Sequence, residues 1–295
     1  MKKNNIEIKN AISTSSAHCI IRRALCIIGY AFCIVALYSC GNGDSEETIQ
    51  KKNRREAFVE DSLSFKVGVL PTEDCYPVLV AEQLGLFEKN GVSVHLRKYN
   101  ALSECRYALA KGSIEAAYVD SLLAETIQKE DTTQLTIGPS TALTWKLISS
   151  KKSRVSRVAQ LKDKIIAADS HGYSKALAES AIDSLLKKQN NVFIIQVEDV
   201  EVRCDMLTTG NVDAAMLPDP YATKAIRAGG KILKDYSNRK KGVVAVRKKA
   251  LSDKRINEQY KKFLECCRMA QDSIAKQPSR FAKLIINNSF SRFAL

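Results

Sequence analysis

FKVGVLPTEDCYPVLVAEQLGLFEKNGVSV, residues Phe65 to Val94, decides the fold class. Phe65–Leu70 is a short apolar run that stops at Pro71, a residue with no N–H to give to a sheet. A helix starts near Pro77, because proline fits a first helical turn. Gly85 and Gly91 punctuate its end, and Val92, Val94 and Leu96 then alternate as a second strand. The order strand, loop, helix, strand is the repeating unit of α/β proteins. The loop between such a strand and its helix is where open α/β sheets hold small molecules. Here that loop is PTEDCYP, and it either catalyses or holds.

Outward from this unit the alternation continues. Strands are expected near 65–70, 92–99, 116–120, 134–138, 143–149, 164–168, 193–198, 213–217, 231–236 and 242–248. Helices are expected near 77–89, 103–111, 121–130, 157–161, 173–189, 201–209, 220–228, 252–275 and 278–288. The pattern predicts an α/β fold with mainly parallel sheets. Helix 173–189 has the clearest apolar stripe, Leu177, Ala181, Ile182, Leu185 and Leu186. KKSRVSR, residues 151–157, is polar and interrupts the pattern, and strand 242–248 follows a second strand–helix run. This suits a discontinuous first lobe: 64–149 plus 238–295, with 150–237 as the second lobe. The hinge is expected at Ser149–Lys152 and Ser237–Lys241.

The amino-terminal part has a different character. Arg22 and Arg23 precede the apolar run ALCIIGYAFCIVAL, Ala24–Leu37. Its 14 residues are short for a membrane span and match the core of an export signal. The run ends in Leu37-Tyr38-Ser39-Cys40-Gly41, which resembles a bacterial lipobox, so residues 1–39 read as a lipoprotein signal peptide. That resemblance implies a lipid, palmitate included, on Cys40; the competing reading is an uncleaved short anchor. Either reading puts the remainder outside the cytoplasm, in the cell envelope facing the periplasm. Residues 40–63 are polar, without apolar periodicity, and read as a flexible tether. Asp44, Glu46 and Glu47 resemble the surface-export signals of Bacteroidetes lipoproteins.

Composition narrows the function classes. The chain has 295 residues and a net charge of +14, with five bases and one acid in residues 1–39. No basic–aromatic interleaving and no zinc or basic-zipper motif accompanies the charge, so nucleic acid is not an expected partner. Of nine cysteines, Cys75, Cys105, Cys204, Cys266 and Cys267 follow Cys40. An odd number in an exported protein argues against a simple disulfide scaffold. Cys267 shares a helical face with Ile256, Tyr260, Phe263, Ala270 and Ile274, which marks it as core. Cys75 and Cys105 both lie just beyond strand ends, so they read as a possible disulfide, as soft ligands, or, for Cys105 beside Leu102 and Leu109, as core.

Four segments carry a resemblance. AEQLGLFEKNGVSV (81–94), ALAKGSIEAAYVD (108–120), LKDKIIAAD (161–169) and LTTGNVDAAMLPDPYATKAIRAGG (207–230) resemble, in order and spacing, type II periplasmic solute-binding proteins of ABC importers. The likeness spans about residues 65 to 290 and is nearest to the nitrate, alkylsulfonate and thiamine-precursor class. It implies a two-lobe fold with a ligand in the cleft between lobes. It also implies delivery to an ABC permease and ATPase. The chain is further expected to be a monomer held at the membrane through its lipid anchor, with no cofactor and no metal. Related chains usually continue beyond the last helix, whereas this one stops at NSFSRFAL (288–295), so its tail is either shorter or truncated.

Candidate ligand residues lie at the carboxyl ends of the expected strands. They are Asp74, Cys75 and Tyr76; Asp120 and Ser121; Ser170, His171, Gly172 and Tyr173; and Asp219 and Tyr221. The serines and Asp219 have a competing use as helix caps. The Asp169–Ser174 loop opens a long helix, where free N–H groups favour anions and Gly172 allows close approach. His171 offers a hydrogen bond, or else is an exposed turn residue. G-x-S-x-G, H-E-x-x-H, P-loop and paired C-x-x-C motifs are absent from the sequence, so an enzyme is not expected. The expected solute is small and anionic, zwitterionic or heteroaromatic. The alternatives are a ligand-sensing or partner-binding lipoprotein of the same fold, and a periplasmic enzyme built on it.

Overall fold

The computed structural model describes residues 61, 63–130, 133–186, 191–278 and 280–281. The signal segment, Cys40 and most of the tether lie outside the described residues, as does most of the helix expected at 278–288. The described residues, from Asp61 onward, belong to one compact unit.

Alternating strand and helix builds two five-stranded sheets. Strands β1 (Phe65–Val69), β2 (Val94–Lys98), β3 (Ala116–Asp120) and β4 (Leu135–Thr141) form most of the first. Strands β5 (Lys146–Ser149), β6 (Ile165–Ala168), β7 (Phe193–Gln196), β8 (Ala214–Leu217) and β9 (Lys231–Asp235) form the second. The chain then returns and inserts β10 (Gly242–Arg247) into the first sheet. The strand orders are β2-β1-β3-β10-β4 and β7-β6-β8-β5-β9. Within each sheet one strand is reversed: β10 is antiparallel to β3 and β4, and β5 to β8 and β9. The other pairings are parallel, with Phe65 opposite Val94 and Ile166 opposite Ile194.

The helices are α1 (Tyr76–Gln83), α2 (Leu86–Lys89), α3 (Leu102–Lys111), α4 (Ser121–Glu130), α5 (Gly172–Leu186), α6 (Val200–Thr209), α7 (Tyr221–Arg227), α8 (Lys248–Leu251) and α9 (Lys254–Lys276). The single helix expected over 77–89 is broken at Gly85, which adopts φ +63°, a conformation that favours glycine. The helix expected at 157–161 is only a 3₁₀ turn, Val158–Gln160.

One boundary differs from the expectation. The strand expected at 143–149 to end the first lobe starts at Lys146 and pairs with β8 and β9 in the second sheet. Leu147 and Ile148 are fully buried there. Its apolar pattern says only that it is a buried strand, and both sheets could have used it. The two segments that cross between sheets are therefore 142–145 and 236–241. They are tied side by side: Tyr236 N–H donates to Trp145 O and Lys241 N–H to Leu143 O, both at 3.0 Å.

The first core centres on β1 and α9. Asp253 caps α9 by accepting from the N–H groups of Arg255 and Ile256. The helix then buries Ile256, Tyr260, Phe263, Cys267 and Ala270, the face expected from their spacing. The Phe263 ring packs edge-on against Phe65 at 5.4 Å and stacks on Phe87 at 5.7 Å. All five described cysteines are buried free thiols. The disulfide considered for Cys75 and Cys105 is thus not formed: Cys75 Sγ instead accepts from Leu70 N–H at 3.4 Å, and Cys105 sits among core side chains. Replacing Phe263 with Ala would leave a cavity between the Phe65 and Phe87 rings. We expect Phe263→Ala to lower unfolding free energy by about 3–5 kcal/mol in a urea titration.

Candidate functional site

The carboxyl ends of the parallel strands from both sheets converge, and the loops after β1, β3, β6, β7 and β8 meet between the lobes. Asp120, the last residue of β3, makes the most direct connection. It is fully buried. Its Oδ1 accepts from Leu123 N–H at 2.8 Å, capping its own helix α4. Its Oδ2 accepts from Tyr173 N–H at 3.1 Å, at the start of α5 on the opposite lobe. One carboxylate thus satisfies orphan donors at two helix starts, where the helix dipoles also favour negative charge. Gly172 makes the approach feasible: a Cβ there would lie 2.3 Å from Asp120 Oδ2. Beside this contact, Ser121 N–H donates to Lys241 O, and the Lys241 ammonium lies 4.8 Å from the centre of the Tyr173 ring.

A second connection joins the PTEDCYP loop to the loop after β8. Glu73 N–H donates to Asp219 O at 2.9 Å, and Thr144 Oγ1 donates to Glu73 Oε1 at 2.6 Å. Asp219 acts as a cap and an ion-pair partner. Its Oδ1 accepts from Thr223 N–H and Oγ1, and its Oδ2 receives Lys146 Nζ at 2.6 Å. Asp74 is buried, with Oδ1 bonded to Thr72 Oγ1 and Oδ2 to Thr141 Oγ1.

A third group was not singled out by sequence reasoning. Arg203, on α6, is 1% exposed. Its Nη1 donates to Asp169 Oδ1 and to Val197 O, and its guanidinium lies 5.9 Å from the Trp145 ring centre. Arg203, Asp169 and Trp145 line a cavity of about 20 Å³ with Leu70, Leu102 and Glu198, drawing walls from both lobes and the hinge. Sequence gave little warning: an arginine in a ten-residue surface helix ordinarily faces water. A larger cavity of about 470 Å³ is lined by Glu73, Asp74, Tyr118, Thr141, Lys240, Val244 and α9. Those residues belong to the first lobe and hinge, so a motion of the lobes would not close over it.

The remaining candidates divide. Ser170 N–H donates to Glu198 Oε1 at 2.7 Å, which ties the Asp169–Ser174 loop to the end of β7. Ser170 Oγ is 2.6 Å from Nδ1 of His171, and His171 is exposed rather than turned into the contact between lobes. Tyr76 and Tyr173 are half-buried, whereas Tyr221 and Cys204 belong to a separate core cluster of the second lobe. Among the described residues no group of three His, Cys, Asp or Glu side chains is placed to hold a metal ion.

Burial dominates the electrostatics. It pushes Asp120 up to about 6 and raises Glu73, Asp74 and Asp169 from their ordinary values, the last opposed by the Arg203 guanidinium. Asp219 is the exception: its Lys146 and Thr223 partners outweigh burial and hold it low.

Two sheets with these strand orders, each with one reversed strand, and ligand-type loops facing across a double crossing identify the architecture. The chain has the type II periplasmic-binding-protein fold. A family model described as NMT1-like family matches residues 60–143. The alkanesulfonate-binding protein SsuA from Xanthomonas axonopodis pv. citri, solved bound to MOPS, superposes with a TM-score of 0.62 at 16% identity. That superposition covers 76% of this chain and 78% of the other. A ligand-binding component of an ABC-type import system from Staphylococcus aureus, solved with zinc bound, gives a TM-score of 0.63 at 14% identity, covering 77% and 79%. The periplasmic nitrate-binding protein NrtA from Synechocystis PCC 6803 gives 0.59 at 14% identity, covering 71% and 61%. No curated protein matches the sequence. Within this periplasmic-binding-protein fold the Asp120–Tyr173 and Glu73–Asp219 bonds cross between the lobes, whereas Arg203 and Asp169 pair within the second lobe and line the cavity that the first lobe covers.

The raised Asp120 fixes a pH dependence. A carboxyl whose proton affinity is higher folded than unfolded contributes stability that is present below pH 4 and lost as pH rises through about 6. We expect Asp120→Asn to flatten the fall in stability between pH 4 and 7, relative to wild type, by roughly 3 kcal/mol. Urea titrations at half-unit pH intervals measure it; parallel curves for the two proteins would show that Asp120 is not the responsible group.

Proposed function

We propose that this chain is an extracytoplasmic, lipid-anchored solute-binding protein that captures a small solute for an ABC importer and performs no covalent chemistry. The observation that carries this reading is the closed contact between two lobes whose parallel strands end at one another. Buried polar side chains gather there around only about 20 Å³ of free space. A site of that size admits no solute unless the lobes part. The paired crossing segments 142–145 and 236–241 are short enough to act as a hinge. A solute that touches both lobes would favour closure by its differential contacts. Tyr76, Asp120, Ser121, Ser170, Gly172 and Tyr173 are the residues on either side that opening would uncover.

The fold and the similar solved binding proteins support the binding reading. The Leu37–Gly41 sequence with its preceding apolar run supports export and lipid attachment at Cys40. A single acylated terminus suits a tethered soluble protein better than a pore.

Two measurements test this. Cys40→Ser should move the protein from the membrane fraction and abolish labelling by radioactive palmitate. In a thermal-shift screen against sulfonates, nitrate, amino acids, amines and pyrimidines, a true ligand at about 100 times its Kd should stabilise the protein by roughly 2.7 kcal/mol. A well-folded protein that responds to none of these classes would sink the binding reading.

A further inference from the structure

Among the described residues, five buried side-chain polar atoms have no hydrogen-bond partner, and three belong to residues lining the small cavity between the lobes. They are Trp145 Nε1, Arg203 Nε and Asp169 Oδ2. Two are N–H donors and one is a carboxylate acceptor. A buried polar group left unpaired is costly, and native proteins retain few of them. Arg203 and Asp169 meet through Nη1 and Oδ1, so each is half-satisfied by the other. Their remaining atoms face unmet needs of opposite kind.

The rest of the lining limits what meets those needs. Leu70, Leu102, Leu143 and Val200 form apolar walls. The charges do not favour a simple anion, because Asp169 already neutralises Arg203 and Glu198 adds a second carboxylate to the same lining. A simple amine fares no better, since it leaves the Arg203 and Trp145 N–H groups unpaired. A molecule with an anionic acid group for the two donors and an ammonium for Asp169 Oδ2 meets all three atoms at once.

Resting on the solute-binding reading, we propose that Arg203, Trp145 and Asp169 form the recognition site for a small zwitterion, an amino acid or aminosulfonate whose charged ends are joined by a short apolar spacer. Arg203 and Trp145 hold the acid end, Asp169 holds the ammonium, and the leucines contact the spacer. When the lobes close without solute, the Arg203–Asp169 pair stands in for the two charged ends.

Isothermal titration with matched probes tests it: taurine and β-alanine against ethanesulfonate, propionate and propylamine. Binding of taurine or β-alanine at least tenfold tighter than their single-charge analogues is expected, and which of the two binds tells sulfonate from carboxylate. Equal or tighter binding of ethanesulfonate or propionate overturns the inference but leaves a solute-binding protein. If none of the five binds, the inference fails, and the wider screen above decides the solute-binding reading separately. Trp145→Phe keeps the ring and removes only the N–H, so it should weaken the zwitterion about three- to tenfold in a folded protein. Arg203→Met should weaken it more than about tenfold. Unchanged affinity in Trp145→Phe places the ligand elsewhere.

Discussion

The carboxyl ends of the parallel strands in both sheets face the same gap, and much of the architecture follows from that constraint. A chain that leaves the first sheet at the gap end of β4 enters the second sheet at its gap end too. The first strand it makes there must run away from the gap, against its neighbours, which is why β5 is antiparallel to β8 and β9. The return through 236–241 imposes the same reversal on β10. The two reversed strands and the two crossing segments are therefore one feature. It leaves the crossings side by side and places the helix starts of α4 and α5 opposite each other.

Opposed helix starts create a problem in electrostatics that this chain solves with carboxylates. Each start presents unpaired N–H groups and the positive end of a helix dipole. Asp120 answers both at once, and its small neighbour Gly172 lets the lobes approach closely enough. On the other side the crossing bond is a backbone one, Glu73 N–H to Asp219 O, while the Asp219 side chain caps α7 and pairs with Lys146 within its own lobe. The closed contact is thus rich in acid although the chain as a whole is strongly basic. A net charge says little about a site, since most of it resides on solvated faces.

The Arg203–Asp169 pair differs from these satisfied contacts. Asp120 and Asp219 bond through both oxygens, whereas Asp169 and Arg203 each keep an unpaired atom in the same lining. Low local polarity strengthens a complete network and penalises an incomplete one. The two kinds of contact suit different roles: the Asp120 contact suits positioning the lobes, and the half-satisfied Arg203–Asp169 pair suits the recognition proposed for it.

The sequence by itself determined the α/β alternation, because apolar periodicity and glycine or proline punctuation act locally. It also marked the buried face of α9 and the strand-end positions of Asp120, Gly172 and Asp219. A strand's carboxyl end is legible wherever the strand is. Only the tertiary structure decided which sheet β5 joins, since a buried strand carries no address for its partner. It also decided that Cys75 and Cys105 remain free core thiols, that Tyr221 turns into the second lobe's core, and that His171 faces outward. Above all it decided the place of Arg203 and Trp145, which are 58 positions apart and meet only when the hinge sets α6 beside the crossing segment. Burial of a charge depends on which distant residues fold over it, and no local pattern encodes that.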